Sequence, residues 1–188
     1  MARGEVREKY RELSRGELLE SAYELGKNYE MHSFGCSQCT VAALHNLLDI
    51  DDVIVKVATS LCGGSAVQLI GSCGALTGGL LVLDYYFGRE PDRLSEIRYT
   101  QSTVDALFSA IAVSQLLANR FIEEYGTTLC GQIQRQVLGR MYCVTDEEEN
   151  RKFEEVGAHS DPRKCPDVVG NAAEWVMEIL IDKGCIKV

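Results

Sequence analysis

Along almost the whole chain, apolar residues recur three and four positions apart and few stretches alternate with period two, so the pattern predicts helices nearly throughout. Ser14-Arg15-Gly16-Glu17 has the form of a capping box, in which the serine and glutamate side chains satisfy free backbone N–H groups. Leu18, Leu19, Ala22 and Leu25 follow at helical spacing up to the Gly26 region. The charged stretch before it leaves room for one more short helix. A second helix fits Cys36 to Leu48, with Val41, Leu44, Leu47 and Leu48 on one face, and a third fits Asp51 to Leu61, ended by Gly63-Gly64. The glycines from Gly63 to Gly74 mark an irregular loop.

Beyond that loop, Cys73 to Phe87 is apolar at nearly every position and stops at Gly88, which predicts a central, buried helix. Gln101 to Tyr125 is the longest periodic run, with Val104, Leu107, Ile111, Leu116 and Phe121 as core candidates and Gly126 as its stop. Cys130 to Leu138 reads as a short helix, and Thr145-Asp146-Glu147-Glu148 as a second capping box opening an acidic, largely solvated helix to Val156. Cys165-Pro166 opens a last helix in which Val168, Val169, Ala172, Trp175, Val176, Ile179 and Leu180 form one stripe, closed by Gly184. The expected fold is all-α: a single-domain helical bundle over 1–188, with an N-terminal helical segment over 1–33 and a cysteine-rich region over 34–188.

Charge and composition narrow the function. Nineteen basic against 28 acidic residues give a formal net charge of −9, the wrong sign for non-specific binding to nucleic acid or to an anionic membrane. The apolar stretch Gly74 to Leu83 stops at Asp84, too short to span a bilayer. Met1 to Gly16 carries alternating charges and no apolar core of a secretory signal, which sets the expectation of a cytoplasmic protein. The unusual feature is eight cysteines in 188 residues. In a reducing compartment they read less as a disulfide framework than as metal ligands or redox thiols.

Placed on the predicted helices, Cys36, Cys73, Cys130 and Cys165 each fall in a first turn. A helix N-terminus presents unpaired N–H groups and a partial positive charge, which lowers a thiol's pKa and favours an anionic ligand or cluster. Simple packing of a small apolar side chain is the alternative for any one cysteine, but it gives no reason for four helix starts. Cys36 and Cys39 form a CxxC, able to supply two metal ligands or a dithiol pair. Thr40 follows Cys39, so there is no haem-attachment CxxCH. No second CxxC completes a zinc ribbon, so any metal site must draw on distant segments. Cys62, Cys143 and Cys185 take structural readings by default. His32, His45 and His159 show no zinc-protease spacing, and the glycine-rich loop matches no phosphate-binding pattern. Gly74, Gly78 and Gly79 would let another helix pack closely or leave room for a cofactor.

Cys36-Ser37-Gln38, Gly63-Gly64-Ser65-Ala66, Ser72-Cys73-Gly74-Ala75-Leu76-Thr77-Gly78-Gly79, Cys130, and Cys165-Pro166 with Ala172-Ala173-Glu174 together resemble the C_GCAxxG_C_C family of redox-active proteins, over about Phe34 to Leu180. The resemblance implies a small cytoplasmic protein of anaerobic bacteria or archaea. It also implies an iron–sulfur cluster, since a similar cysteine domain accompanies haem in split-Soret cytochromes, and it carries the family cysteines onto Cys36, Cys73, Cys130 and Cys165. Where the GCAxxG element would begin, this chain has Gly64-Ser65-Ala66 and lacks that thiol; Cys39 and Cys62 stand nearby as reserves.

The leading expectation is therefore electron transfer or redox sensing through a cluster held by those four thiolates, with a redox partner protein and with a homodimer left open. Two alternatives stay open. One is a cofactor-free thiol–disulfide oxidoreductase in which Cys36 attacks and Cys39 resolves; the other is a structural zinc site in a scaffold protein.

Overall fold

The computed structural model describes residues 4–94 and 100–188. Eight α-helices, joined by 3-10 turns and loops, make an all-α single domain, and no strand occurs among the described residues. They are α1 (Arg15–Ser33), α2 (Cys36–Leu47), α3 (Asp52–Val57), α4 (Gly74–Phe87), α5 (Gln101–Tyr125), α6 (Cys130–Leu138), α7 (Glu147–Glu155) and α8 (Cys165–Asp182). No described helix is long and apolar enough to cross a membrane.

Helices α2, α4 and α8 form the centre because their sequences are apolar on more than one face; Val41, Leu44, Leu47, Val82, Leu83, Val169, Val176 and Leu180 are sealed from solvent. Helix α1 lies along α8, and α5 closes the far side against α4 and α8. Leu138, Tyr142, Phe153 and Ala158 make a second small cluster that joins α6 and α7 beside the start of α8.

The Ser14 capping box forms as its residues predict, with both the Ser14 and Glu17 side chains bonded to the other's backbone. The helix nevertheless runs through Gly26 to Ser33, because Gly26 is a contact and not a stop. A Cβ there would lie 2.9 Å from the Val169 carbonyl oxygen and 3.2 Å from the Gly170 Cα. The chain leaves α1 only at Phe34 and Gly35, both with positive φ.

Three other expectations shift. The third helix ends at Val57, and a separate 3-10 turn, Thr59–Leu61, completes the predicted span. Asp146, not Thr145, caps α7, accepting from the Glu149 backbone N–H at 3.0 Å. In α5 the buried face runs through Ala110, Leu117, Phe121 and Tyr125, while Ile111 and Leu116 are exposed and Val104 and Leu107 half-buried. The periodicity located the helix and put Phe121 rightly in the core, but it misplaced Ile111 and Leu116.

Candidate functional site

The local structure brings four distant helix starts to one place. A short antiparallel bridge pairs Ser72 with Leu129; around it, Cys73 donates its N–H to the Thr128 carbonyl at 2.8 Å, and Cys130 donates to the Gly71 carbonyl at 3.0 Å. This sets the first turns of α4 and α6 side by side. Gly78 permits α2 to pack against α4, since a Cβ there would lie 2.3 Å from the Ser37 carbonyl oxygen. Ser37, fully buried, donates to the Ala58 carbonyl at 2.7 Å and fixes the start of α2. The start of α8 closes the ring.

Cys36, Cys73, Cys130 and Cys165 all line a single cavity of about 170 Å³, and Cys62 joins them from the 3-10 turn before the glycine loop. Leu69, Ile133, Val168, Val169 and Phe153 give the rest of the wall its apolar character. Gly74 holds the space open: a Cβ on it would sit 2.2 Å from Cys36 Sγ and 2.9 Å from Cys62 Cα. The roof is the loop after Cys62, where Val67 and Leu69 reach in from a left-handed backbone held by Ala66 N–H to the Ser60 carbonyl and Leu69 N–H to the Gly63 carbonyl.

Cys39 is not part of the cavity wall. It is buried one helical turn beyond Cys36, and its thiol donates to the Phe34 carbonyl at 3.0 Å. The CxxC therefore sends its two sulfurs to different surroundings. Cys143 is exposed, and Cys185 is buried near the chain's C-terminal end, where its carbonyl accepts from Gly4 N–H. Neither lines the cavity.

Backbone N–H groups do point at the sulfurs: Gly63 reaches Cys36, and Ala75 and Leu76 reach Cys73, each lowering the thiol's pKa. Burial is the larger effect and reverses the sign expected from helix starts alone. It pushes the Cys73 thiol up to about 11, Cys130 to about 12, and Cys36 and Cys165 well above the ordinary thiol value, with Glu30 and the neighbouring sulfurs adding to the rise at Cys36 and Cys165. The cavity is thus lined by thiols that burial keeps neutral.

Two wall residues, Glu30 and His159, bring an acid and an imidazole to the cavity, and the spacing of the sequence did not single them out. Glu30 is 2% exposed and belongs to the buried stripe of α1 at Leu18, Ala22, Gly26 and Glu30. An acid as the fourth member of an otherwise apolar i, i+4 series is its one mark in the sequence, and that mark alone does not tell it from a solvated side chain. His159 reaches the cavity from the turn after α7, tilted against Phe34 and edge-on to Phe153, with ring centroids 4.5 and 5.1 Å away. His45 instead bonds Asp52 at 2.8 Å, and His32 bonds the Asn28 carbonyl; neither lines the cavity.

The donor set suits a group with some width. Among the described residues no three His, Cys, Asp or Glu side chains converge as tightly as a single ion needs; the thiols surround a space instead. Soft sulfur donors, N–H groups aimed at them and an apolar wall are the surroundings in which protein-bound clusters of iron and sulfide sit.

A family model described as "Putative redox-active protein (C_GCAxxG_C_C)" matches residues 34–179, which takes in all five cavity cysteines and His159 and leaves Glu30 outside. No curated protein and no solved structure matches the chain.

Proposed function

Because the chain belongs to the C_GCAxxG_C_C family of putative redox-active proteins, we propose that its cysteine cavity holds an iron–sulfur cluster used for electron transfer or redox sensing. Cys36, Cys73, Cys130 and Cys165 are the thiolate ligands, and Cys62 is the fifth sulfur in reach. The observation that carries this reading is the convergence of four helix starts, each bearing a cysteine, on one cavity. A bound cluster would supply one-electron chemistry. Around it, the N–H groups of Gly63, Ala75 and Leu76 would favour the reduced form by bonding to sulfur, and the apolar wall would exclude water.

The arrangement speaks against the dithiol alternative. A resolving thiol at Cys39 would have to reach Cys36, but it is buried outside the cavity, and the raised pKa values leave neither sulfur ionised near neutral pH. A structural zinc would need the ring of thiols to contract onto one point.

The test is purification or reconstitution without oxygen, followed by iron and acid-labile sulfide analysis and a visible spectrum. The expected result is brown protein with iron and sulfide in comparable amounts, lost when any of Cys36, Cys73, Cys130 or Cys165 becomes Ala and kept in Cys185→Ala. Colourless protein that retains zinc, or that turns over disulfides through Cys36, would overturn the reading.

A further inference from the structure

Among the described residues, two buried side-chain polar atoms have no hydrogen-bond partner, Glu30 Oε2 and the Tyr86 hydroxyl. Only Glu30 lines the cysteine cavity. A carboxyl so placed, with thiols at Cys36, Cys39 and Cys165 around it, has lost its hydration; Cys39 is near enough to bond to the group, but Oε2 itself has gained no partner.

Its other oxygen faces a histidine: Glu30 Oε1 lies 3.6 Å from His159 Nε2, beyond hydrogen-bond length, and His159 Nδ1 lies 2.8 Å from Glu154 Oε1, whose side chain is 45% exposed. Phe34 and Phe153 fix the imidazole plane between them. A buried carboxyl with one oxygen facing a histidine that a second carboxylate orients, and with the other oxygen free at a cavity wall, is placed as metal-ligating carboxylates are.

We propose that Glu30 is a metal ligand: its free Oε2 gives one metal atom of the cavity group an oxygen donor beside the thiolates, with His159 and Glu154 as positioning residues. The proposal rests on the cluster reading above. It adds a residue from α1, outside the span that the family model matches. It also accounts for the buried unpartnered oxygen, since a cation facing Oε2 supplies the missing partner. The metal atom so bound differs from its sulfur-ligated neighbours, because oxygen is the harder donor.

The experiment uses the full chain, wild type and Glu30→Gln, reconstituted with isotope-enriched iron and sulfide without oxygen. Glutamine keeps the shape and can still donate a hydrogen bond to sulfur, but its neutral amide is a poor iron ligand, so the variant separates ligation from hydrogen bonding. In wild type, Mössbauer spectra are expected to show one iron subsite distinct from the sulfur-ligated ones. Glu30→Gln is expected to lack that subsite and to yield iron to a chelator roughly tenfold faster or more. Circular dichroism of the metal-free variant checks its fold, and if it does not fold, the wild-type spectrum alone decides. A wild-type spectrum in which every iron is sulfur-ligated overturns the role of Glu30 and leaves the cluster standing, as do identical spectra and release rates in the two proteins. Wild type that takes up no iron and sulfide overturns the cluster, and Glu30 as its ligand with it.

Discussion

Burial works against ionisation at every acid in the cavity wall, and Glu30 gives the simplest measurable case. Desolvation is the largest cause of its rise from an ordinary 4.5 to about 7. A pKa higher in the folded chain than in the unfolded one means that the fold binds the proton more tightly. The stabilisation is therefore fully present below about pH 4.5 and is lost as pH rises through about 7. The metal-free protein should lose roughly 3 kcal/mol across that window from this one group. Denaturant titrations of metal-free wild type and Glu30→Gln at several pH values check it: the stability difference should move in favour of the variant as pH rises, and parallel profiles would contradict the assignment. The cysteines that surround this carboxyl were legible from their helix-start positions. Glu30 was not, because an acid in a stripe of apolar residues looks like an ordinary solvated side chain until the partner helix that buries it is known. His159 was missed for the same reason, since its partners Glu30 and Glu154 come from two different helices.

Helices were easier to find than the faces they bury. Apolar period and capping residues placed all eight helices, since those signals act within a few residues of each other. Two of the misread features depend on neighbours. Ile111 and Leu116 of α5 are as apolar as Leu117 and Phe121, and only the positions of α4 and α8 decide which pair is covered. Gly26 has the look of a helix end, but it faces α8, where Gly170 answers it: a Cβ on Gly170 would lie 2.8 Å from the Tyr23 ring and 2.9 Å from the Tyr23 carbonyl oxygen. That crossing seats α1, and with it Glu30, against the start of α8. Gly170→Ala should therefore destabilise the protein by about 1–3 kcal/mol, because the backbone oxygen cannot swing aside as a side-chain tip can. Chemical denaturation measures it, with Gly16→Ala as the comparison, since a Cβ on Gly16 meets nothing within 4 Å. Equal stability in Gly170→Ala and wild type would show that the two helices can slide apart without loss.

At the scale of the whole molecule, the cavity is where four segments far apart in sequence meet. The starts of α2, α4, α6 and α8 line it, whereas their later turns pack into the continuous apolar core. Metal–thiolate bonds of the proposed cluster would add to the close packing of α2 on α4 and to backbone bridges such as Ser72 with Leu129. Binding energy at such a site is folding energy, so if the proposed cluster is bound, its removal should lower the melting temperature and loosen the molecule unevenly. Amide hydrogen exchange is the suitable probe. On anaerobic chelation, exchange should accelerate at the first turns of α2, α4, α6 and α8 and in the loop from Gly63 to Gly71, which roofs the cavity. The crossing of α1 with α8 around Gly26 and Gly170, and the buried half of α5 at Leu117 and Phe121, should stay protected, since their contacts are apolar and close without the metal. Uniform acceleration would mean that the core itself depends on the metal, and unchanged exchange at the four helix starts would mean that nothing bound there ties them together.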